Sequence, residues 1–418
     1  MMQRSALPNG LRIVSEHMPG VPSVTVGIWV ESGSRFESPH LGGISHYLEH
    51  LLFKGTARRS AAVIAEEIDA VGGVLNAFTG KEYTCYYARV LAEHASLATD
   101  LLADLFLHSQ FDPAEIDRER GVILQEISQS EDTPDDHIHD FFNLRYWPGH
   151  ALGLPVCGTS ATVQGLGRDE FLRFMATRYR PDRIIIAAAG DITHAALTAW
   201  AERDFGSLVG TADLATGAPP RPHAGIYITE KPLEQVHICF GSPGVSQASE
   251  ERYAAYLLNT ALGGGMSSRL FQEIRERRGH AYAVYSFLSS YRDSGYFGIY
   301  VGTSPEWVEE VLSVIVRELA VAAREGLRPN ELARVKNQLK GNLLLGLETS
   351  DSRMSRIAKN EVYVGRDVPL AEIAARIDAT TNDEIVAFAS RLTDPEGRAV
   401  ALLGDLGGRS IDPSLLAA

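Results

Sequence analysis

The chain has 418 residues, more than one hydrophobic core usually organises, so two domains of about 200 residues each are expected. Hydrophobic residues make up 45% of the chain and charged residues 22%, which is typical of a globular protein and excludes a disordered one. The net charge of -14 argues against a nucleic-acid partner, because phosphate binding relies on clustered Lys and Arg, and it favours basic ligands.

The start of the chain lacks the apolar core of a secretory signal, and no apolar run reaches the ~18 residues of a membrane span. We therefore expect a cytoplasmic protein without a membrane partner. The three cysteines, Cys85, Cys157 and Cys239, are odd in number and form no CxxC pair. This pattern favours buried reduced thiols over a disulfide framework or a thiolate metal site.

The first predicted helix, around residues 44–53, is apolar but carries His46, Glu49 and His50. Residues three and four apart lie on one helical face, so these three side chains project together while the leucines pack inward. Two imidazoles one turn apart can chelate zinc, and the carboxylate between them can take a proton from water that the metal activates. The order His-x-x-Glu-His is the inverse of the HExxH zinc motif. Because this pattern also arises by chance, a third ligand from another element is needed to support it.

The helix predicted from Pro113 to Gln129 offers that ligand, since Glu119 and Glu126 lie two turns apart on one half-apolar face. Burying such carboxylates is costly unless they are paired or bound to a metal. A solvated acidic face is the alternative. The next stretch, 135–140, contains metal-binding residue types, but its alternating acidic pattern favours a solvated loop or helix end over a second site.

Residues 206–225 are rich in Gly and Pro and lack apolar periodicity, which indicates a linker. The predicted division is a first domain over 1–210, a linker over 211–224 and a second domain over 225–418.

The two halves repeat one order of a strand, a helix and a second helix opened by proline. These elements are 83–90, 95–107 and 112–129 in the first half, and 296–301, 306–324 and 328–347 in the second. Aligning the two proline turns places Asn342 opposite Glu126, and the second half has no HxxEH, so only the first copy can hold the metal. The turn residues 80–82 favour antiparallel pairing. The predicted fold class is α+β, with two similar domains that each pack a largely antiparallel sheet with helices.

Residues 42–56, which contain the inverse motif, resemble the signature of the pitrilysin or insulinase family of zinc peptidases. Residues 119–127 are similar to the second motif of that family, which implies that Glu126 is the third zinc ligand and Glu119 a supporting acid. The resemblance runs nearly end to end and is closer to the short-chain branch, which includes the mitochondrial processing peptidase and its bacterial relatives. It implies a zinc-dependent metalloendopeptidase that binds one zinc ion per chain and uses Glu49 as general base.

Residues 72–79 match the substrate-facing edge strand of the family, where Asn76, Ala77 and Phe78 would bind a peptide by strand addition. An ordinary strand after a glycine turn is the alternative.

Residues 263–282 are similar to another family signature, which implies that Arg275 and Tyr282 hold the substrate and assist the polarised carbonyl. A surface salt bridge and a core tyrosine are the alternatives for this pair. His280 stands where relatives often carry an apolar residue, and the sequence gives no reason for it.

The family pairs two such halves around a chamber, like a clamshell, and this chain supplies one half. The resemblance therefore implies a homodimer in which Arg275 and Tyr282 face the zinc of the partner subunit, and a peptide or unfolded polypeptide as substrate, possibly basic. One alternative is a non-catalytic member that serves as a peptide-binding or assembly subunit, although the catalytic motifs are present. Another is a hydrolase that acts on a different bond, although the edge-strand motif argues against it.

Overall fold

The computed structural model describes residues 2–211 and 217–416. Residues 212–216, which belong to the predicted linker 211–224, lie outside the described residues. Two compact units are present, and each is made of separate segments of the chain. The first unit comprises the described residues within Met1–Gln129, Leu154–Gly217 and Gly346–Asp367, and the second those within Ser130–Gly153, Ala218–Leu345 and Val368–Ala418.

The strands of the described residues form one sheet in each unit. They are β1 (Met2–Ala6), β2 (Arg12–His17), β3 (Ser23–Val30), β4 (Val74–Thr79), β5 (Thr84–Leu91), β6 (Ile184–Gly190), β7 (Gly225–Thr229), β8 (Val236–Pro243), β9 (Ala281–Ser290), β10 (Gly295–Thr303) and β11 (Ala399–Leu403).

The helices of the described residues cover both faces of these sheets, and a π-helical segment spans Phe271–Glu276. They are α1 (Ile44–Leu52), α2 (Ala61–Asp69), α3 (Ala95–His108), α4 (Pro113–Asp132), α5 (Pro134–Tyr146), α6 (Ser160–Gly165), α7 (Arg168–Arg178), α8 (His194–Phe205), α9 (Arg252–Gly263), α10 (Val308–Glu325), α11 (Pro329–Leu345), α12 (Ser350–Tyr363), α13 (Leu370–Ala379) and α14 (Asn382–Leu392).

The sheet of the first unit has the order β1-β2-β6-β3-β5-β4, with β4 at an edge. The pair β2 and β6 is parallel and the other neighbours are antiparallel. One face carries the main core, to which α1, α3, α4, α7 and α8 contribute buried apolar residues. The apolar stripe of α12 covers the other face.

The sheet of the second unit has the order β7-β11-β8-β10-β9, in which β7 and β11 are parallel and the rest antiparallel. This arrangement repeats the order and directions of β2-β6-β3-β5-β4. Helices α9, α10 and α14 build the core on one face, and α5 covers the other. The predicted internal repeat and the α+β class with two similar domains are confirmed.

The units differ from the linear division predicted from the sequence, because two segments pack on the sheet of the other half. Helix α5 lies in the first half of the sequence but buries Ile138 and Phe142 against the second sheet. Helix α12 lies in the second half but buries Met354 and Ile357 against the first sheet. An amphipathic stripe shows that a helix packs on something, but it does not show which of two similar sheets it covers.

Within the described ranges, none of the helices combines the length and the apolar character that crossing a bilayer requires. Cys85 and Cys239 are buried, as predicted, and Cys157 is partly buried. That the thiols are reduced stays a prediction.

Candidate metal centre

The helix α1 is fixed at its start by tight backbone packing and a buried carboxylate. Gly43 has a φ of +91°, and a Cβ there would lie 2.5 Å from the carbonyl oxygen of Cys157, so only glycine fits. The carboxylate of Glu37 accepts hydrogen bonds from the backbone N–H groups of Gly43 and Ser45, both at 2.8 Å. These bonds satisfy free donors at the helix N-terminus. The polar face of α1 is therefore held in one orientation.

His46, His50 and Glu126 converge as predicted. Each offers a ligand atom, and these atoms all lie within 4.8 Å of one another; no other such group of three occurs in the described part of the chain. Oε2 of Glu126 is 3.7 Å from Nε2 of His46 and 3.6 Å from Nε2 of His50. Tetrahedral ligands bound about 2.0–2.1 Å from zinc lie roughly 3.3–3.5 Å apart, so the set fits this metal.

The site is accessible from solvent. The side chain of Glu126 is 43% exposed, and those of His46 and His50 are 19% and 18% exposed. Structural zinc sites are closed by four protein ligands, whereas catalytic sites keep one position open. Three ligands with one accessible side match the catalytic type.

Glu119 contacts His50, which is the geometry that its implied supporting role requires. Its carboxylate is buried, with Oε2 3.1 Å from Nδ1 of His50 and Oε1 2.6 Å from Nζ of Lys54. The acceptor at Nδ1 favours the tautomer that carries its proton there, which leaves Nε2 free to bind a metal. Lys54 balances the charge of the buried carboxylate. Sequence reasoning missed this role of Lys54, although its place four residues after His50 was a signal for it.

His46 is held in its neutral form. Burial, with a smaller effect of His50, lowers the pKa of His46 to about 4. A neutral imidazole is the form that binds a metal. Its Nδ1 is buried and has no hydrogen-bond partner among the described residues, so His50 alone of the two has a supporting carboxylate.

Glu49 lies close to His50 and Glu126, and the pKa of its carboxyl group is shifted. Burial raises the pKa of Glu49 above its ordinary value and Glu126 adds to this effect, while Thr79 and His50 oppose it. The hydroxyl of Thr79 donates a hydrogen bond of 2.5 Å to Oε2 of Glu49. The contribution of Thr79 was missed, and its only signal was its place at the end of the matched stretch 72–79.

Thr79 is also the last residue of β4, the edge strand on which Asn76, Ala77 and Phe78 lie. Ala77 packs against the main core, and the ring of Phe78 packs edge-on against Trp29 on the opposite face of the sheet, with centroids 5.4 Å apart. The backbone N–H of Ala77 donates to the side-chain oxygen of Asn76 at 2.8 Å. The open edge therefore presents backbone groups rather than the side chains of Ala77 and Phe78.

Arg275 and Tyr282 lie together in the second unit. The guanidinium of Arg275 is 4.4 Å from the centroid of the Tyr282 ring and 4.8 Å from that of Phe271. Its Nη1 donates to the carbonyl oxygen of Tyr282 at 2.8 Å. Tyr282 is 77% exposed, so the core-tyrosine alternative is wrong. A cation packed on an exposed ring leaves both groups available to a ligand.

The acidic stretch 135–140 lies in the first half of α5, and Asp135 and Asp136 are exposed as predicted for a helix end. His139 departs from that prediction, because it is partly buried and packs against the rings of Phe287 and Tyr300. Its Nε2 is 3.1 Å from the hydroxyl of Tyr285, so packing rather than metal binding explains it.

Comparison with known families agrees with the motifs. Residues 12–160 match the model described as Insulinase (Peptidase family M16), and residues 165–339 match the one described as Peptidase M16 inactive domain. A Bacillus subtilis protein named an uncharacterized zinc protease is 42% identical over 407 residues, which cover 97% of this chain and 99% of that protein. The chain belongs to the insulinase family of peptidases, M16. A second protein of that description, from Streptomyces coelicolor, is 45% identical over 93% of this M16 chain and 86% of its own length.

Solved structures share the M16 fold. The peptidase M16 inactive domain from Pseudomonas fluorescens has a TM-score of 0.91 at 20% identity, covering 99% of this chain and 100% of that one. A protease from Helicobacter pylori has a TM-score of 0.89 at 20% identity, covering 97% and 99%. The family resemblance seen in the sequence is confirmed, while the closer relation to the processing peptidases stays a prediction.

Proposed function

We propose that this M16 chain is a zinc-dependent metalloendopeptidase that hydrolyses peptides or unfolded polypeptide segments. The observation that carries the proposal is the convergence of His46, His50 and Glu126, with the carboxylate of Glu49 beside them. The names of the relatives, which call them zinc proteases, support the same class of activity.

His46, His50 and Glu126 would hold a zinc ion, which when bound would supply a Lewis acid for the carbonyl group and lower the pKa of water toward ~7. Glu49 takes the proton from the attacking water and passes it to the leaving amine. Burial favours the protonated carboxyl, so Glu49 accepts a proton more readily than an exposed glutamate. The hydroxyl of Thr79 holds Oε2, which leaves Oε1 for the proton.

The edge strand supplies a way to bind the substrate with little sequence preference. A peptide added to β4 as a further strand is held by backbone hydrogen bonds. The N–H of Ala77 is available once its bond to the Asn76 side chain is exchanged for one to the peptide. Because the strand ends at Thr79, which binds Glu49, the added peptide lies close to the proposed base.

Zinc content and peptide cleavage, measured on the same preparations, test this proposal. Glu49→Gln should keep about one zinc ion per chain and lose at least ~100-fold in kcat, because only the proton acceptor is removed. His50→Ala should lose both zinc binding and cleavage activity, and a chelator should stop cleavage by the unmodified protein. Glu202→Gln, an exposed change on α8, is the matched control. Cleavage by Glu49→Gln at the rate of the unmodified protein would refute the role of Glu49.

A non-catalytic peptide-binding subunit is the second candidate. The match of residues 165–339 to a domain described as inactive favours it. It predicts that the unmodified protein binds zinc and peptides but cleaves none of a mixed peptide library.

A further inference from the structure

The chain turns at Gly279 between the π-helical segment and β9, and His280 is the residue that anchors this turn. The imidazole of His280 stacks on the indole of Trp307, with centroids 4.0 Å apart and planes 10° apart. Its Nε2 is 3.1 Å from Oε2 of Glu310 in the first turn of α10, and the side chain is only 10% exposed. Stacking fixes the plane of the ring, and the contact with Glu310 fixes its rotation within that plane.

The backbone on either side of His280 is tied to the segment that carries Arg275. The N–H of His280 donates to the carbonyl oxygen of Ile274 at 3.0 Å, and that of Gly279 to Arg275 at 3.1 Å. The carbonyl oxygen of His280 accepts a hydrogen bond of 2.6 Å from the hydroxyl of Thr303 on β10. Any shift of His280 therefore moves the backbone of Arg275.

Arg275 is bonded in turn to Tyr282, which lies two residues after His280. The carbonyl oxygen of Tyr282 accepts a hydrogen bond from Nη1 of Arg275. A second bond runs from the turn to α10, because Nε of Arg278 lies 3.1 Å from Oε1 of Glu310. Nη1 of Arg278 also binds Glu273 within the π-helical segment, at 2.6 Å. Glu310 thus holds the turn through both His280 and Arg278.

We propose that His280 is a positioning residue that sets the placement of the Arg275–Tyr282 pair on the substrate through Trp307 and Glu310. This inference rests on the proposed function and on the substrate-binding role that the family resemblance implies for the pair. An apolar residue at this position would fill the space beside Trp307 but leave Glu310 with Arg278 as its one contact to the turn among those described above. The polar contact is therefore what distinguishes His280 from an apolar packing residue.

Two substitutions test the polar contact while the stacking on Trp307 is kept. His280→Phe removes the contact with Glu310, and Glu310→Gln weakens the bonds of Glu310 to both His280 and Arg278. We expect each to weaken peptide binding and kcat/KM about tenfold, mainly through KM, with little change in kcat. Zinc content and the melting temperature should stay as in the unmodified protein. Arg391→Gln, which removes an exposed ion pair with Glu251 elsewhere in the second unit, is the control.

The decisive measurement is a double-mutant cycle between His280→Phe and Arg275→Ala, read as the Kd of a peptide bound to chains that also carry Glu49→Gln. If His280 acts through Arg275, adding His280→Phe to a chain that already carries Arg275→Ala should change the Kd less than twofold. An unchanged Kd for either single variant, or tenfold effects that add, would overturn the inference. This assay needs no cleavage. If the unmodified chain binds peptide but does not hydrolyse it, the proposed peptidase is refuted while the cycle remains decisive.

Discussion

Glu119 and Glu126 lie two turns apart on α4, yet their surroundings differ sharply. The side chain of Glu119 is 4% exposed and that of Glu126 is 43% exposed. The sequence indicated that the two carboxylates share a face, but it could not assign their roles without the family resemblance. Glu119 contacts Nδ1 of His50 and the ammonium of Lys54, whereas Glu126 contacts Nε2 of both histidines.

We predict that Glu119→Gln lowers zinc affinity by about 10–100-fold, because the amide is a weaker acceptor for Nδ1–H of His50 and leaves Lys54 unpaired. Competition with a chelator of known affinity measures this effect. Glu115→Gln, which changes a carboxylate in the first turn of the same helix, is the control. Equal zinc affinities for Glu119→Gln and the unmodified protein would contradict the role of Glu119.

At the scale of elements, the periodicity of side chains predicted the helices and strands that flank the site. The strand over 83–90 is β5, the helix over 95–107 is α3, and the helices opened by Pro113 and Pro329 are α4 and α11. The helix cap at Glu37 could not be predicted, because it depends on a buried contact six to eight residues from its donors.

That cap makes stability depend on pH. Burial raises the pKa of Glu37 to about 7, although the N–H groups of Ser45 and Gly43 oppose this shift. Between about pH 4.5 and 7 the folded protein therefore binds a proton that the unfolded chain releases, so this contribution to stability is lost as the pH rises. Its total is about 3 kcal/mol. As the pH rises through this range, the unfolding free energy of the unmodified, zinc-free protein should fall by about this amount relative to that of Glu37→Gln. Urea denaturation at several pH values in this range measures both free energies. If the two free energies change in parallel with pH, the raised pKa of Glu37 is contradicted.

At the scale of the whole molecule, the family resemblance predicts a homodimer in which each subunit completes the site of the other. Mixing His50→Ala chains with Arg275→Ala chains should then restore roughly a quarter of the unmodified activity, because half of the dimers are mixed and each holds one complete site. Activity of the mixture, compared with that of each variant alone, checks this. If the two variants form mixed dimers without any recovery of activity, the arrangement is wrong.

In the proposed metal centre, side chains from α1 and α4 bind one zinc ion and leave a position open. A crystal structure of the zinc-loaded protein, with anomalous data at the zinc edge, tests it most directly. We predict one peak per chain, about 2.0–2.1 Å from Nε2 of His46, Nε2 of His50 and a carboxylate oxygen of Glu126. A peak at other residues, or imidazoles turned away from Glu126, would show that these three side chains are not the zinc ligands.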